Sequence, residues 1–120
     1  MSTDPLFTPF TMKNLTLRNR TVSTSHEPAY SEDGLPTDRY RAYHVEKARG
    51  GVGLTMIGGS AIVSRGSAPA FGNLLLWKDE VVPWLRRLSD DVHELDTAVM
   101  IQLTHLGRRT GWNKADWLPV

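Results

Sequence analysis

The alternation of apolar and polar residues predicts three strands. Thr21–Ser25 is short and rich in β-branched and small residues, and Val52–Gly59 is a largely apolar run that ends in a pair of glycines. The third strand begins at Thr97 and leads to Gln102, and Val99–Leu103 is almost wholly apolar. We expect this run to be covered on both faces, with Gln102 buried and hydrogen-bonded, because an unpartnered buried amide costs about 1–3 kcal/mol.

Two longer amphipathic stretches between these strands predict helices. We expect Thr37 to cap the first helix, which ends at the pair Gly50 and Gly51. The second helix covers Glu80–Leu95, with Asp79 as its expected cap. Its apolar face repeats at helical spacing and consists of Val82, Leu85, Leu88, Val92 and Leu95.

Two further segments lie outside this pattern. Residues 1–11 predict an irregular lead-in, and Met12–Arg20 alternates around Lys13, which predicts a two-stranded ribbon with a tight turn. We therefore expect residues 1–19 to form a lead-in and ribbon that cover the main sheet from outside. Ala61–Lys78 predicts a long loop, and a loop of this length in a compact domain is usually functional or mobile.

The order strand, helix, strand, helix, strand predicts an α/β fold with a parallel sheet and right-handed crossovers. A doubly wound dinucleotide-binding sheet would place G-x-G-x-x-G directly after a strand, at the start of a helix. The glycines of Gly50–Gly53 precede a strand instead, so the pattern favours a (β/α)8 barrel.

The length of the chain limits how much of a barrel it can form. A barrel of about 250 residues has roughly 31 residues in each βα unit, so 120 residues provide about three units. We expect residues 20–120 to be the first three strands and two helices, and residues 1–120 as a whole to be the N-terminal fragment of a longer barrel domain. The missing strands would leave open sheet edges, which favour self-association.

Composition narrows the functional classes. Of the 120 residues, 40% are hydrophobic and 22% are charged, and the net charge of +1 gives no electrostatic case for a nucleic-acid or membrane surface. The chain has no cysteine, which excludes disulfides and Cys-ligated metals within it. Met1–Phe10 lacks the features of a signal peptide, and no run approaches the roughly 18 apolar residues of a membrane span. We expect a cytoplasmic protein with no nucleic-acid or membrane partner.

Polar residues follow the third strand at its carboxyl end. His105, Gly107 and Arg108 come directly after the strand that contains Gln102. Because ligands bind at the carboxyl ends of strands in α/β proteins, this stretch predicts a polar, cationic ligand site. A core strand with one satisfied Gln, followed by a solvated basic loop, explains the same stretch equally well.

Four motifs occur in order along nearly the whole chain. They are Pro5-Leu6-Phe7-x-Pro9 with Asn14-Leu15-x-Leu17-x-Asn19-Arg20, then Arg49-Gly50-Gly51-Val52-Gly53-Leu54, Trp77-x-Asp79-Glu80, and Gln102-Leu103-x-His105-x-Gly107-Arg108. In these motifs the chain resembles the Old Yellow Enzyme family of FMN-dependent (β/α)8-barrel oxidoreductases. The resemblance implies the N-terminal portion, about three βα units, of such a barrel.

Ser25-His26-Glu27 resembles one branch of this family, which contains trimethylamine dehydrogenase, histamine dehydrogenase and dienoyl-CoA reductase. In the amine dehydrogenases a Cys follows this His and bonds the flavin covalently. Glu27 stands here in that position, so the resemblance implies non-covalent FMN. The pattern is more similar to enzymes that demethylate N-methylated amino acids such as N-methylproline or dimethylglycine.

The resemblance implies an FMN-dependent oxidoreductase that demethylates a small N-methylated amine or amino acid by hydride transfer to FMN. The first alternative is an NAD(P)H-dependent enoate or dienoyl-CoA reductase. The second, of another class, is that the isolated chain is a non-catalytic, self-associating barrel fragment. We also expect a small-molecule substrate and a homo-oligomer, and a 4Fe-4S cluster and NAD(P)H or FAD only in a full-length parent.

By position, the resemblance implies six residues in flavin contact and two at the substrate mouth. Gly59 has no side chain to block a flat ring, and the amide of Gln102 can donate and accept at the pyrimidine edge. His105 and Arg108 are implied at the substrate mouth or in the organisation of their loop, and catalytic residues are expected downstream. The six cofactor-binding candidates are Thr24, Ser25, His26, Glu27, Gly59 and Gln102.

Overall fold

Two helices pack on one face of a three-stranded parallel sheet, and a small β-ribbon lies at one end of that sheet. The computed structural model describes residues 3–67, 69 and 72–107. A short 3-10 helix at Pro5–Phe7 opens the chain. The remaining elements are β1 (Phe10–Met12), β2 (Leu15–Leu17), β3 (Val22–Ser23), α1 (Asp38–Arg49), β4 (Leu54–Ile62), α2 (Val81–His93) and β5 (Ala98–Thr104).

The sheet has the order β3-β4-β5, and both of its strand pairs are parallel. Val22 pairs with Leu54, which pairs in turn with Ala98. One helix connects each strand to the next, which confirms the predicted order of elements. The first strand is shorter than the predicted Thr21–Ser25, because only Val22–Ser23 pairs with β4.

The core lies between the helices and one face of the sheet. Ile57 and Ala61 of β4 are 2% and 0% exposed, and Val99 and Ile101 of β5 pack against the same cluster. Each large apolar side chain that is fully buried contributes about 1.5–3 kcal/mol, so this layer is the main source of stability. Its other buried members are Tyr40, Val45, Ala48, Leu74, Leu88 and Val92.

The opposite face of the sheet is exposed at several positions in the part of the chain that the structure describes. Val22 and Met100 are 49% and 48% exposed, and Gln102 lies two residues beyond Met100 on the same side of β5. The prediction that the third strand is covered on both faces is therefore wrong for these residues. Successive side chains of a strand point to opposite faces, and the two helices cover only one of them.

The ribbon forms as predicted, although it begins earlier in the chain. β1 and β2 pair antiparallel, with Met12 opposite Leu15 and Lys13 in the turn at a φ of 50°. The lead-in is also more regular than predicted, because the Asp4 carboxylate accepts a 2.9 Å hydrogen bond from the N–H of Leu6 and caps the 3-10 helix. Among the described residues of this segment, Pro5–Phe7 and Phe10–Thr11 thus lie in regular elements.

Arg18 fixes the ribbon against the two helices. Its guanidinium donates hydrogen bonds of 3.2 Å to the carbonyl of Ala48 and 3.1 Å to the carbonyl of Leu95. Both carbonyls lie near the C-terminal ends of helices, where a cation is favoured by the helix dipole. The ribbon therefore covers the end of the sheet at which β4 and β5 begin, opposite the end where ligands bind in α/β folds.

The helices match their predicted positions but differ at their N-termini. Thr37 precedes α1, yet its hydroxyl donates a 2.7 Å hydrogen bond to the Glu32 carboxylate and makes no cap bond. Asp79 does not cap α2 either, because Glu80 occupies the N-cap position. The apolar face of α2 begins one residue earlier than predicted, since Val81 is 3% exposed and Val82 is 55% exposed. No helix within the described residues is long and apolar enough to cross a membrane.

β4 continues beyond the two glycines where the second strand was predicted to end. Ile62 is fully buried, and its N–H donates a 2.8 Å hydrogen bond to the carbonyl of Leu74. The N–H of Leu76 donates a 2.8 Å hydrogen bond to the carbonyl of Ile62, and Leu75 pairs with Ile62 in a parallel bridge. The predicted loop Ala61–Lys78 therefore begins and ends in paired backbone, which holds its two ends together.

Candidate functional site

A bulge interrupts β4 at the carboxyl end of the sheet. Ile57 pairs with Ile101 and Ala61 pairs with Leu103, so three residues of β4 stand opposite Gln102 alone. Gly58 adopts a φ of 78°, which residues other than glycine rarely adopt. Bulges of this kind re-aim a strand and are common beside active sites.

Tyr40 of α1 binds the backbone of this bulge. It is fully buried, and its hydroxyl oxygen accepts a 2.9 Å hydrogen bond from the N–H of Gly58. Burial, followed by the nearby charge of Glu27, raises the pKa of the Tyr40 phenol, which is therefore neutral near pH 7. The sequence showed Tyr40 only as part of the first helix, and no local signal marks which hydroxyl reaches a neighbouring strand.

Gly59 is packed against the loop that follows β3. A Cβ atom at Gly59 would lie 2.6 Å from the backbone nitrogen of Glu27 and 3.2 Å from the carbonyl carbon of His26. The resemblance implied that Gly59 leaves room for a flat ring, whereas the structure shows that this loop requires a glycine on that side. The loop after β3 and the bulge of β4 therefore form one packed unit.

Ser25 and Gln102 meet across this unit. The Ser25 hydroxyl donates a 2.8 Å hydrogen bond to Oε1 of Gln102. Gln102 is exposed, so the prediction that it is buried is wrong; it lies on the open side of β5 and β5 is an edge strand among the described residues. Its predicted need for a hydrogen-bond partner is nevertheless met by Ser25.

The side chain of Glu27 turns back into its own loop. Oε1 accepts a 3.0 Å hydrogen bond from the N–H of Ala29, which adopts a φ of 57°. Oε2 is buried and makes no hydrogen bond to the described residues. Burial raises the pKa of the Glu27 carboxyl, and the bond from Ala29 opposes that shift. Glu27 thus presents its backbone to Gly59 and keeps its carboxylate within the protein.

The remaining predicted residues lie at the same edge or beyond the described chain. Thr24 and His26 are exposed, on either side of Ser25. Nδ1 of His105 accepts a 3.0 Å hydrogen bond from the N–H of Gly107, so this ring holds the turn that follows β5. Arg108 lies outside the described residues.

Ser67 is a residue of this edge that the sequence did not indicate. It is 1% exposed, and its hydroxyl oxygen accepts a 2.9 Å hydrogen bond from the N–H of Leu106. The N–H of Val63 also donates to the carbonyl of Thr104 at 3.1 Å. These two hydrogen bonds therefore join the loops after β4 and β5 at the carboxyl edge of the sheet.

The structure thus brings four of the six cofactor candidates into one hydrogen-bonded and packed group. Ser25 and Gln102 provide a polar pair on the open face, while Gly59 and Glu27 provide tight backbone packing beside it. Polar groups held by parallel strands at their carboxyl ends are the usual setting of a ligand site in α/β proteins.

Comparison with known proteins identifies the class. The sequence profile of the NADH:flavin oxidoreductase / NADH oxidase family matches residues 5–116, and the chain belongs to this family. FMN is the cofactor that the family match indicates.

Curated relatives narrow the comparison. The chain is 62% identical over 120 residues to a Rhizobium meliloti (strain 1021) protein named "Probable N-methylproline demethylase" and 50% identical over 119 residues to the "Multifunctional alkene reductase/demethylase OYE" of Caballeronia cordobensis. These matches cover 100% and 99% of this chain but 18% of each relative. The chain therefore spans about one fifth of the length of the curated relatives it matches.

Solved structures share the fold. Morphinone reductase in complex with tetrahydroNAD superposes with a TM-score of 0.78 at 23% identity, over 88% of this chain and 28% of that one. Old Yellow Enzyme from Pichia sp. AKU4542 gives a TM-score of 0.79 at 21% identity, over 89% of this chain and 28% of that one. The described strands and helices thus have the fold of part of a (β/α)8 barrel.

Proposed function

We propose that the natural gene product containing this chain is an FMN-dependent oxidoreductase that oxidatively demethylates a small N-methylated amine or amino acid. The observation that carries this proposal is the Ser25–Gln102 pair beside the bulge of β4, at the carboxyl edge of a parallel sheet. The family match supports the cofactor, and the name of the relative at 62% identity supports the reaction.

The described residues fit a flavin. The hydroxyl of Ser25 occupies Oε1 of Gln102, and Nε2 of Gln102 makes no hydrogen bond within the described chain, so this N–H group can donate to a ligand. Gln102 would hold a carbonyl oxygen of the flavin's pyrimidine ring. Thr24, Ser25 and His26 would contribute backbone and side-chain groups along the same edge.

When bound, FMN would accept a hydride from the N-methyl carbon, and water would then release the methyl group as formaldehyde and leave the demethylated amine. The residues of this chain would bind and orient the cofactor for that reaction. Ser25 would fix the amide of Gln102 in one orientation, and Glu27 would fix the loop that carries Ser25 and His26. Since the chain has no Cys, its own residues would hold FMN without a thioether bond.

Reduction of an activated C=C bond is the second candidate. The name of the Caballeronia relative combines alkene reductase with demethylase. Both reactions need the same flavin site, and they differ in whether NAD(P)H or the amine supplies the hydride.

The proposal also includes a small-molecule substrate, a cytoplasmic location and a homo-oligomer. Val22 and Met100, which are both exposed on the open face of the sheet, support association with further protein.

Anaerobic flavin spectroscopy tests the proposal. The gene product would be purified with its flavin and mixed with N-methylproline, and the visible absorption would be followed. Bleaching without NAD(P)H supports the demethylase, whereas bleaching only by NAD(P)H, followed by reoxidation with an activated alkene, supports the reductase. A purified protein that retains no flavin and gains none from added FMN would overturn both.

A further inference from the structure

Tyr40 connects the first helix to the bulge of β4. Its side chain is fully buried, and its ring stacks on that of His44 with centroids 5.4 Å apart and an interplanar angle of 30°. The ring is therefore held in one place by the core. Its hydroxyl lies where the ladder between β4 and β5 is interrupted, and it accepts the N–H of Gly58 at 2.9 Å.

The hydrogen bond from the N–H of Gly58 to the hydroxyl of Tyr40 satisfies a buried backbone donor. Gly58 is buried, and its φ of 78° removes it from the regular strand conformation. A buried N–H that loses its strand partner must find another acceptor, because an unsatisfied one destabilises the fold. The hydroxyl of Tyr40 is that acceptor, so it stabilises the bulged conformation over a regular strand.

The bulge in turn shapes both sides of the candidate site. Gly59 supports the backbone of His26 and Glu27, and a Cβ at Gly58 would lie 3.5 Å from the carbonyl oxygen of Gln102. Tyr40 also lies near the loop after β3, since the charge of Glu27 acts on its phenol. One hydroxyl therefore acts on the loop after β3 and on β5.

We infer that Tyr40 is a positioning residue of the flavin site, whose hydroxyl sets the Gly58–Ser60 bulge and through it the residues that hold FMN. Tyr40 does not itself reach the open face, because it is buried on the helix side of the sheet. This inference rests on the proposed function, and its effect on the bulge can be measured without FMN.

The test is Tyr40→Phe in the gene product, with Tyr43→Phe as the matched control. Tyr43 lies on the same helix and contacts Tyr30, His44 and Lys47 through its ring, while its hydroxyl makes no hydrogen bond within the described chain. Tyr40→Phe is expected to speed hydrogen exchange of the Gly58 amide about tenfold, leave the amides of α1 unchanged, weaken FMN binding about tenfold and shift the flavin absorption bands. Tyr43→Phe is expected to change none of these.

Each outcome decides between the alternatives. If Tyr40→Phe folds and leaves both Gly58 exchange and the FMN dissociation constant unchanged, the inference is wrong. Faster Gly58 exchange with unchanged FMN binding and spectrum also overturns it, because Tyr40 would then be structural only. If Tyr40→Phe does not fold, 3,5-difluorotyrosine at position 40 weakens the acceptor while keeping the ring, and about a twofold loss of FMN affinity is expected; no loss overturns the inference. A wild-type protein that binds no FMN overturns the proposed function instead.

Discussion

The hydroxyl of Ser25 donates a 2.8 Å hydrogen bond to Oε1 of Gln102, which lies 77 residues later in the chain. The bond joins the loop after β3 to β5. In the sheet, β4 lies between β3 and β5. The bond therefore passes across the bulge of β4 and orients an exposed amide that would otherwise rotate freely. An amide fixed in this way presents its N–H group to the open face.

Removal of either partner of this bond is expected to weaken FMN binding. Ser25→Ala removes one neutral hydrogen bond, worth about 1 kcal/mol, so the FMN dissociation constant should rise about fivefold. Gln102→Ala removes the side chain proposed to bind FMN and should raise the FMN dissociation constant more than tenfold. Fluorescence titration of the apoprotein with FMN measures both. Thr11→Ala, which removes an exposed hydroxyl from the ribbon, is the control and should have no effect.

Gly59→Ala is expected to destabilise the protein and weaken FMN binding. The new Cβ would lie 2.6 Å from the nitrogen of Glu27, a contact with backbone that cannot move without displacing the loop after β3. Overpacking of this kind costs about 1–3 kcal/mol. Gly66→Ala is the matched control, because among the described residues its Cβ would meet only Ser64 Oγ at 3.5 Å. Equal thermal midpoints for the two variants would contradict the packing described here.

Arg18→Met is expected to lower the free energy of unfolding by about 2–3 kcal/mol, since two carbonyls lose hydrogen bonds from a charged donor. The methionine retains the apolar stem, so the change tests the guanidinium contacts with Ala48 and Leu95. Arg20→Met serves as the control, because the exposed Arg20 side chain makes, among the described residues, only a 3.4 Å hydrogen bond to Thr8 and a contact with the ring of Phe10. Urea unfolding measures both variants, and a loss of less than 1 kcal/mol for Arg18→Met would show that the ribbon is held by other contacts.

Stability should fall in acid through His44. Burial, followed by the charge of Lys47, lowers the pKa of His44 to about 4, and Nδ1 lies 2.9 Å from the hydroxyl of Thr55. Because the unfolded pKa is near 6.5, the neutral ring contributes its full stability above pH 6.5, and that contribution is lost as the pH falls towards 4. The loss is on the order of 3 kcal/mol.

Urea unfolding at several pH values checks this expectation. His44→Phe keeps an aromatic ring beside Tyr40 and should flatten the dependence between pH 6.5 and pH 4 relative to the wild type. His93→Gln, at an exposed histidine, should leave the wild-type dependence unchanged. A His44→Phe variant with the wild-type slope would contradict the assignment.

The helix limits and the ribbon could be predicted because they depend on local chemistry. Glycine favours the C-terminus of a helix, and α1 ends just before the pair Gly50 and Gly51. The alternation around Lys13 marks the turn of the ribbon. The apolar face of α2 was predicted to begin at Val82, whereas it begins at Val81. The two valines are equally apolar, and only their packing distinguishes them.

The contacts among the candidate site residues could not be predicted from the sequence. The residues were named through resemblance and through their position after strands, and the structure brings Ser25 to Gln102 as a direct pair. The bulge of β4 could not be predicted, since the glycines after Ile57 also fit the end of a strand. Tyr40 was missed for the same reason, because its partner Gly58 is defined only by the tertiary arrangement.

The bulge of β4 also determines which changes in chain length this strand tolerates. Four steps along β4, from Ile57 to Ala61, correspond to two steps along β5, from Ile101 to Leu103, so the insertion is an even number of residues. Side chains in a strand alternate with a period of two, and Ala61 therefore returns to the core side. Deletion of one glycine would turn Ala61 and Ile62 to the wrong faces, whereas deletion of two would preserve the alternation. Variation in this segment, natural or engineered, should thus occur in pairs of residues.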